Sequence, residues 1–335
     1  MRAMVLERLG PITEGSNPLV PGTRPVPEPA PGSVLLRVLA CGVCHTELDE
    51  IEGRTPPPRL PVVPGHEVVG RVERLGAGAR GHRIGDRVGV GWIHRSSGGA
   101  DENLSPEFRA TGRDVDGGYA EYMTVPEAYA YPIPDVFGDA EAAPLLCAGA
   151  IGHRALRLTG LVDGAALGLM GFGASAHLVL QLARHLYPRS KVAVFAREAE
   201  ARAFARALGA DWAGETNARA AFPLDAIIDT TPAWKPIVDA LANLAPGGRL
   251  VVNAIRKEDT DKAELLKLSY HEHLWLEREV KTVANLTGRD IAEFLEIAAR
   301  IPIRPAVTVY TLEDANRALR ELRVGGGTGA KVLVP

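Results

Sequence analysis

Three groups of residues in this 335-residue sequence have types and spacing that could do chemistry. The first is Cys41-Gly-Val-Cys44, a C-x-x-C that suits either a redox pair or half of a zinc knuckle. A knuckle needs a second pair, and the only other cysteine is Cys147. A redox pair belongs in a βαβ context, whereas this one lies among short strand-like runs. Spacing alone supports neither reading.

The second group is the run Ala165–Met170, Gly171-Phe-Gly173-Ala-Ser-Ala176 and His177–Ala183, which reads as strand, G-x-G-x-x-A turn and helix. The first glycine permits the tight turn, and the second lets the backbone approach a pyrophosphate seated on the helix N–H groups. Small Ala176 lets the helix pack on its strand. This pattern predicts a dinucleotide site. An acid ending the next strand would bind the adenosine ribose of NAD. Val194-Phe-Ala196-Arg197 has none there, and a small residue followed by Arg accepts a 2′-phosphate. NADP is therefore preferred over NAD, with Glu198 as the competing ribose contact.

The third group contains decoys. His271-Glu-His273 resembles a metal pair, but residues i and i+2 diverge on a helix, which predicts a solvated face. Gly325–Lys331 lacks the Gly-Lys-Ser/Thr order of a phosphate loop and reads as a turn. Arg202 and Arg206, interleaved with acids, read as a solvated helix face.

These residues must be positioned by two kinds of structure. Up to about Cys147, short strands (Val34–Val38, Val62–Val63, Val68–Val72, Arg87–Val90) alternate with Gly and Pro, which predicts a β-rich, barrel-like unit. Pro25–Gly32 is a stiff connector. Beyond it, Ala148–Leu158 reads as a helix, followed by strands at Ala165–Met170, Lys191–Phe195, Asp225–Asp229 and Arg249–Asn253. Helices reach Leu186 and cover Glu198–Leu208, a βα alternation that predicts a parallel sheet. Helices at Asp290–Ala299 and Leu312–Leu322 precede a last strand, Lys331–Pro335, expected to return to the first unit. There is no internal repeat.

Composition sets the bounds. With 38 Lys+Arg against 41 Asp+Glu, the net charge of −3 gives no basic surface for nucleic acid or anionic membrane. No apolar run approaches the ~20 residues that span a bilayer. The N-terminus meets charge too early for a signal peptide. Three cysteines without a secretion signal predict a reduced, cytoplasmic protein. Hydrophobic residues make up 46% of the chain, enough for a core that needs no metal for stability.

Four stretches resemble the zinc-dependent alcohol dehydrogenases of the medium-chain dehydrogenase/reductase family: Cys41–Asp49, Pro64-Gly-His-Glu-Val-Val-Gly70 with Gly85-Asp-Arg-Val88, Asp116-Gly-Gly-Tyr-Ala-Glu-Tyr122, and Pro144-Leu-Leu-Cys-Ala-Gly149. The Gly171 turn and Leu208-Gly-Ala210 follow in family order. The resemblance implies an α/β protein with a GroES-like β-rich catalytic domain (1–150), a Rossmann doubly wound parallel-sheet cofactor domain (151–286) and a C-terminal return (287–335).

It also implies one catalytic Zn2+ per chain, held by Cys44, His66 and Cys147, with a fourth position open. Glu67 matches an acid close to that metal, and Glu47 an acid that orients His66. Thr46 matches the hydroxyl that takes the substrate proton, and His45 a group near the cofactor pyrophosphate. Cys41 is left as a buried bystander. The implied reaction is hydride transfer between an alcohol and NAD(P), giving an aldehyde or ketone.

Two departures stand out. Many relatives end the proton relay on a His where this chain has Asp49, whose ordinary pKa near 4 makes it a poor acid at neutral pH. The stretch Trp92–Ser105 corresponds to a structural-zinc lobe but carries no cysteine, so one zinc is expected, not two. His94 alone cannot make such a site. The alternatives are a zinc-independent quinone or enoyl reductase of the same family and a non-catalytic dinucleotide-binding protein. A homo-oligomer, dimer or tetramer, is expected from the family, with a small-molecule alcohol or aldehyde as substrate.

Overall fold

The structure is a computed structural model that describes residues 1–301, 303–325 and 328–335. Two sheets organise it. The first is antiparallel over most of its extent, in the order Val307–Thr311, Ala330–Val334, Ser33–Val43, Glu67–Leu75, Arg87–Val90, Tyr131–Pro132, with Tyr122–Pro126 also on Ser33–Val43. The second has six strands, all parallel, in the order Trp212–Gly214, Val192–Phe195, Leu167–Met170, Leu224–Asp229, Leu244–Val252, Glu279–Thr282.

That second order runs outward in both directions from the first strand in sequence, Leu167–Met170. It is the 3-2-1-4-5-6 order of a doubly wound dinucleotide fold. The strand order reverses between Leu167–Met170 and Leu224–Asp229, and sheets of this kind take their ligands beyond the carboxyl ends of the strands at that point. The four inner strands contain long apolar runs because helices cover both faces. The last described strand, Ala330–Val334, pairs antiparallel with Ser33–Val43 (Lys331 opposite Val43), so the chain end returns to the first sheet.

Helix Ala148–Thr159 links the two sheets. It packs on helix Ala174–Leu186, where a Cβ on Gly152 would lie 2.6 Å from Val179, and Ser175 Oγ donates to Ala148 O at 2.8 Å. The glycine turn is thereby tied to the helix that begins after Cys147.

Several expected elements change on folding. Val62–Val63 is not a strand; Val62 makes a single bridge to Leu6. The short strands Arg2–Leu6, Leu19–Thr23, Tyr122–Pro126, Trp212–Gly214, Glu279–Thr282 and Val307–Thr311 carry too little periodicity to be read locally. The predicted turn Gly325–Lys331 lies partly outside the described residues, which omit Gly326 and Gly327. His273 is buried and hydrogen-bonded to Ser269, which corrects the expected solvated face; only His271 is exposed, against Tyr270 and Trp275.

Candidate active site

Strand Ser33–Val43 leads into helix His45–Ile51, with Cys44 as the residue before its first turn. Six of this short helix's seven residues are buried, including Thr46, Glu47, Asp49 and Glu50. His66 immediately precedes strand Glu67–Leu75, which pairs with Ser33–Val43 so that Glu67 lies opposite Gly42. A Cβ at position 42 would run into the Glu67 carboxylate. Cys147 precedes helix Ala148–Thr159. Register and two helix starts thus gather residues that are far apart in sequence.

Cys44, His66, Glu67 and Cys147 offer donor atoms that all lie within 4.8 Å of one another. Among the described residues this is the single group of three or more His, Cys, Asp or Glu side chains so placed. Glu47 organises it: Oε1 lies 2.5 Å from His66 Nδ1, and Oε2 accepts the Cys44 N–H at 2.8 Å. With Nδ1 engaged, His66 Nε2 is buried without a hydrogen-bond partner among the described residues. An orphaned imidazole nitrogen beside two thiols is what a soft divalent cation such as zinc requires. The residues fit that ion.

Charge is concentrated here. The Cys147 thiol holds Cys44 well below the ordinary thiol range, against burial and with help from His66. The same contact, with burial and the Cys44 charge, pushes Cys147 up. Burial opposes a charge on His66, but the Glu47 carboxylate and Cys44 outweigh it and raise His66. Burial, then the Cys44 charge, raises Glu67. The pocket is a dense set of acidic groups whose ionisation is mutually opposed, an opposition a cation would relieve.

Thr46 Oγ1 lies 3.6 Å from Cys44 Sγ, and His45 is exposed at the helix start. Asp49 has a partner the sequence does not announce: Arg54 Nε donates to its Oδ1 at 2.5 Å, and Arg54 also pairs with Glu52 at 2.5 Å. Burial nevertheless leaves Asp49 raised. Cys41 is fully buried and stays outside the four-residue group, its thiol raised by burial. Trp92 was not anticipated; its ring centroid lies 6.2 Å from that of His66, and its indole N–H points at Glu50. Only the folded chain brings Trp92 to His66.

At the switch point, Gly171 has φ +85°, and a Cβ there would lie 2.9 Å from Thr230 Oγ1, so only glycine fits without strain. A Cβ on Gly173 would meet nothing within 4 Å, which leaves open space in front of the helix start. Ala176 is fully buried. Ala196 is buried at the end of its strand, and Arg197 is exposed, with its guanidinium facing Gly325. Arg202 donates to both Ala196 O (2.8 Å) and Arg197 O (2.5 Å), and Arg206 to Ala213 O (2.5 Å). Both arginines hold backbone; Arg206 is exposed, in keeping with the solvated face expected of it, while Arg202 is half-buried.

A doubly wound parallel sheet joined to an antiparallel sheet, with two thiols, an imidazole and a carboxylate converging where the linking helix begins, defines an oxidoreductase of the medium-chain dehydrogenase/reductase class. Residues 30–135 match the family described as alcohol dehydrogenase GroES-like domain. The chain is 42% identical to "Probable alcohol dehydrogenase AdhA" of Mycobacterium tuberculosis, over 100% of this chain and 97% of that protein. It is 33% identical to an alcohol dehydrogenase of Geobacillus stearothermophilus, over 90% of this chain and 91% of the other. Among solved structures, a cinnamyl alcohol dehydrogenase of Sorghum bicolor superposes with a TM-score of 0.86 at 26% identity, over 99% of this chain and 97% of that one. The chain belongs to the alcohol dehydrogenase family of medium-chain oxidoreductases, which interconvert alcohols with aldehydes or ketones. No described helix is long and apolar enough to cross a membrane.

Proposed function

We propose that the chain is a zinc-dependent alcohol dehydrogenase or aldehyde reductase that prefers NADP to NAD. The observation that carries this reading is the convergence of Cys44, His66, Glu67 and Cys147 within 4.8 Å around an unpartnered His66 Nε2. In it, Cys44, His66 and Cys147 hold one zinc ion, and Glu67 is an acid in reach of the same point. When bound, zinc supplies Lewis acidity toward a substrate oxygen, and the nicotinamide supplies the hydride acceptor or donor.

The chain's own residues do the rest. Glu47 fixes the His66 ring and tautomer, so that Nε2 is the free donor. Thr46 Oγ1 takes the substrate proton and Asp49 is the candidate to pass it on. Gly171 and Gly173 admit a pyrophosphate to the start of helix Ala174–Leu186, with Ala176 keeping that helix close to its strand and His45 facing the phosphates. Ala196 leaves room for a 2′-phosphate, and Arg197 pairs with it in a charge-assisted contact. The functional units in this reading are 1–150, 151–286 and 287–335. Its setting is the cytoplasm, as a homo-oligomer acting on a small alcohol or aldehyde.

The test combines metal analysis of protein purified without chelator with alcohols and aldehydes assayed against NADP and NAD. About one zinc per chain is expected from three protein ligands and an open position, and less than about half overturns the ligand assignment.

A further inference from the structure

The loop after strand Leu244–Val252 carries Arg256-Lys257-Glu258, and each side chain reaches a different part of the molecule. Lys257 Nζ pairs with Asp229 Oδ2 and donates to Thr231 O at 2.6 Å; the two side chains are 7% and 0% exposed. Arg256 Nη1 donates to Arg54 O at 2.5 Å. Glu258 pairs with Arg323 at 3.1 Å, and its N–H donates to Pro232 O at 2.7 Å. Arg323 in turn pairs with Glu52 at 3.1 Å. The loop is therefore fastened both to the segment following helix His45–Ile51 and to the carboxyl end of strand Leu224–Asp229.

The second attachment lies at the switch point. Asp229 Oδ1 accepts from Thr231 Oγ1 at 2.7 Å and from Thr231 N at 3.2 Å, so its two oxygens hold the Thr230-Thr231 turn and the lysine together. Thr230 Oγ1 donates to Met170 O at 3.0 Å. That turn is the surface against which Gly171 packs: a Cβ there would lie 2.9 Å from Thr230 Oγ1 and 3.1 Å from Thr231 Cγ2. A shift of Thr231 is felt at Gly171. Burying a Lys–Asp pair yields little net stability, because desolvation of both charges offsets most of their attraction. Its directional bonds do fix geometry.

We propose that Lys257 is a positioning residue for the dinucleotide: through Asp229 and Thr231 it fixes the turn that abuts Gly171, and so sets the crevice at the switch point. This rests on the reading of that crevice as a nicotinamide dinucleotide site. Lys257 need not touch the ligand.

The experiment titrates NADPH and NADH by nucleotide fluorescence and records thermal unfolding for wild type, Lys257→Met, Lys257→Arg and the double variant Lys257→Met/Asp229→Leu. Lys257→Met is expected to lose stability, since it leaves a buried carboxylate unpaired. The double variant removes that charge and recovers stability. It should still bind NADPH about tenfold more weakly, with KM for the dinucleotide raised and kcat at saturation changed by less than about twofold. Lys257→Arg, which keeps the charge, should retain more affinity than the double variant. A double variant that is folded and binds like wild type overturns the inference and leaves the dinucleotide site standing. Wild type that binds neither nucleotide overturns both.

Discussion

Glu47 holds His66 by its Nδ1 at 2.5 Å while the same carboxylate receives the Cys44 N–H at 2.8 Å. One buried acid thus sets the tautomer of one candidate zinc ligand and the backbone position of another. Hydrogen-bond partners of this kind cost 10–100-fold in metal affinity when removed, roughly, in known sites. Glu47→Gln should therefore weaken zinc retention by about tenfold or more in competition with a chelator. Unchanged retention would show that His66 is oriented by packing alone.

Asp49 and Arg54 make a second pair whose role is testable. Asp49→Asn is expected to lower kcat and flatten its pH profile, because the amide cannot accept a proton. Burial raises Asp49, and the Arg54 guanidinium opposes that rise. Arg54→Gln should therefore raise Asp49 further, and an acceptor must be ionised to act. The acid limb of the kcat profile then moves to higher pH. An unchanged profile in both variants sinks the relay role.

Arg197 carries the prediction about the cofactor. Arg197→Ala should raise KM for NADP by about tenfold while changing KM for NAD little, since only the 2′-phosphate is lost as a partner. Arg202→Ala should produce a weaker form of the same change, because Arg202 holds the Ala196 and Arg197 carbonyls. Equal effects on both cofactors would refute a phosphate contact at Arg197.

Asp290 tests stability apart from catalysis. It caps helix Gly288–Arg300: its Oδ2 accepts from Thr287 N at 2.9 Å and from Arg154 at 2.6 Å. Although burial raises its pKa, the Thr287 and Arg154 contacts win and hold Asp290 below the ordinary Asp value. A depressed carboxylate contributes stability above its unfolded pKa of about 4, which is lost as pH falls through the folded value. Asp290→Asn should cost about 1–2 kcal/mol in denaturant unfolding at pH 7. The difference from wild type should shrink as pH falls below about 4 toward the lowered folded value, through which the wild-type carboxyl becomes neutral like the amide. A difference independent of pH would assign the loss to packing instead.

Much of this was legible in the residues. The βα alternation that builds the parallel sheet, the strand Arg87–Val90 and the G-x-G-x-x-A turn are local patterns, set by side-chain period and by the φ freedom of glycine. Motif resemblance named Cys44, His66 and Cys147, although they stand 22 and 81 positions apart in sequence (44 to 66, 66 to 147). No helical or strand period spans such separations. Their approach depends on the register that sets Glu67 against Gly42 and on the helix that starts after Cys147.

What only the tertiary structure decided is where charge goes when it is buried. His-Thr-Glu-Leu-Asp-Glu-Ile carries three carboxylates in seven residues, yet six of the seven are buried; His66, the Cys44 N–H and Arg54 come from outside the helix to meet Glu47 and Asp49. Lys257 lies 28 residues from Asp229 in sequence and meets it because strand Leu244–Val252, whose following loop carries the lysine, pairs in parallel with the strand that ends at Asp229. Patterns of hydrophobicity and glycine are properties of a chain segment and survive in the sequence. Compensation of a buried charge depends on which distant segment arrives beside it, and that is settled by the fold.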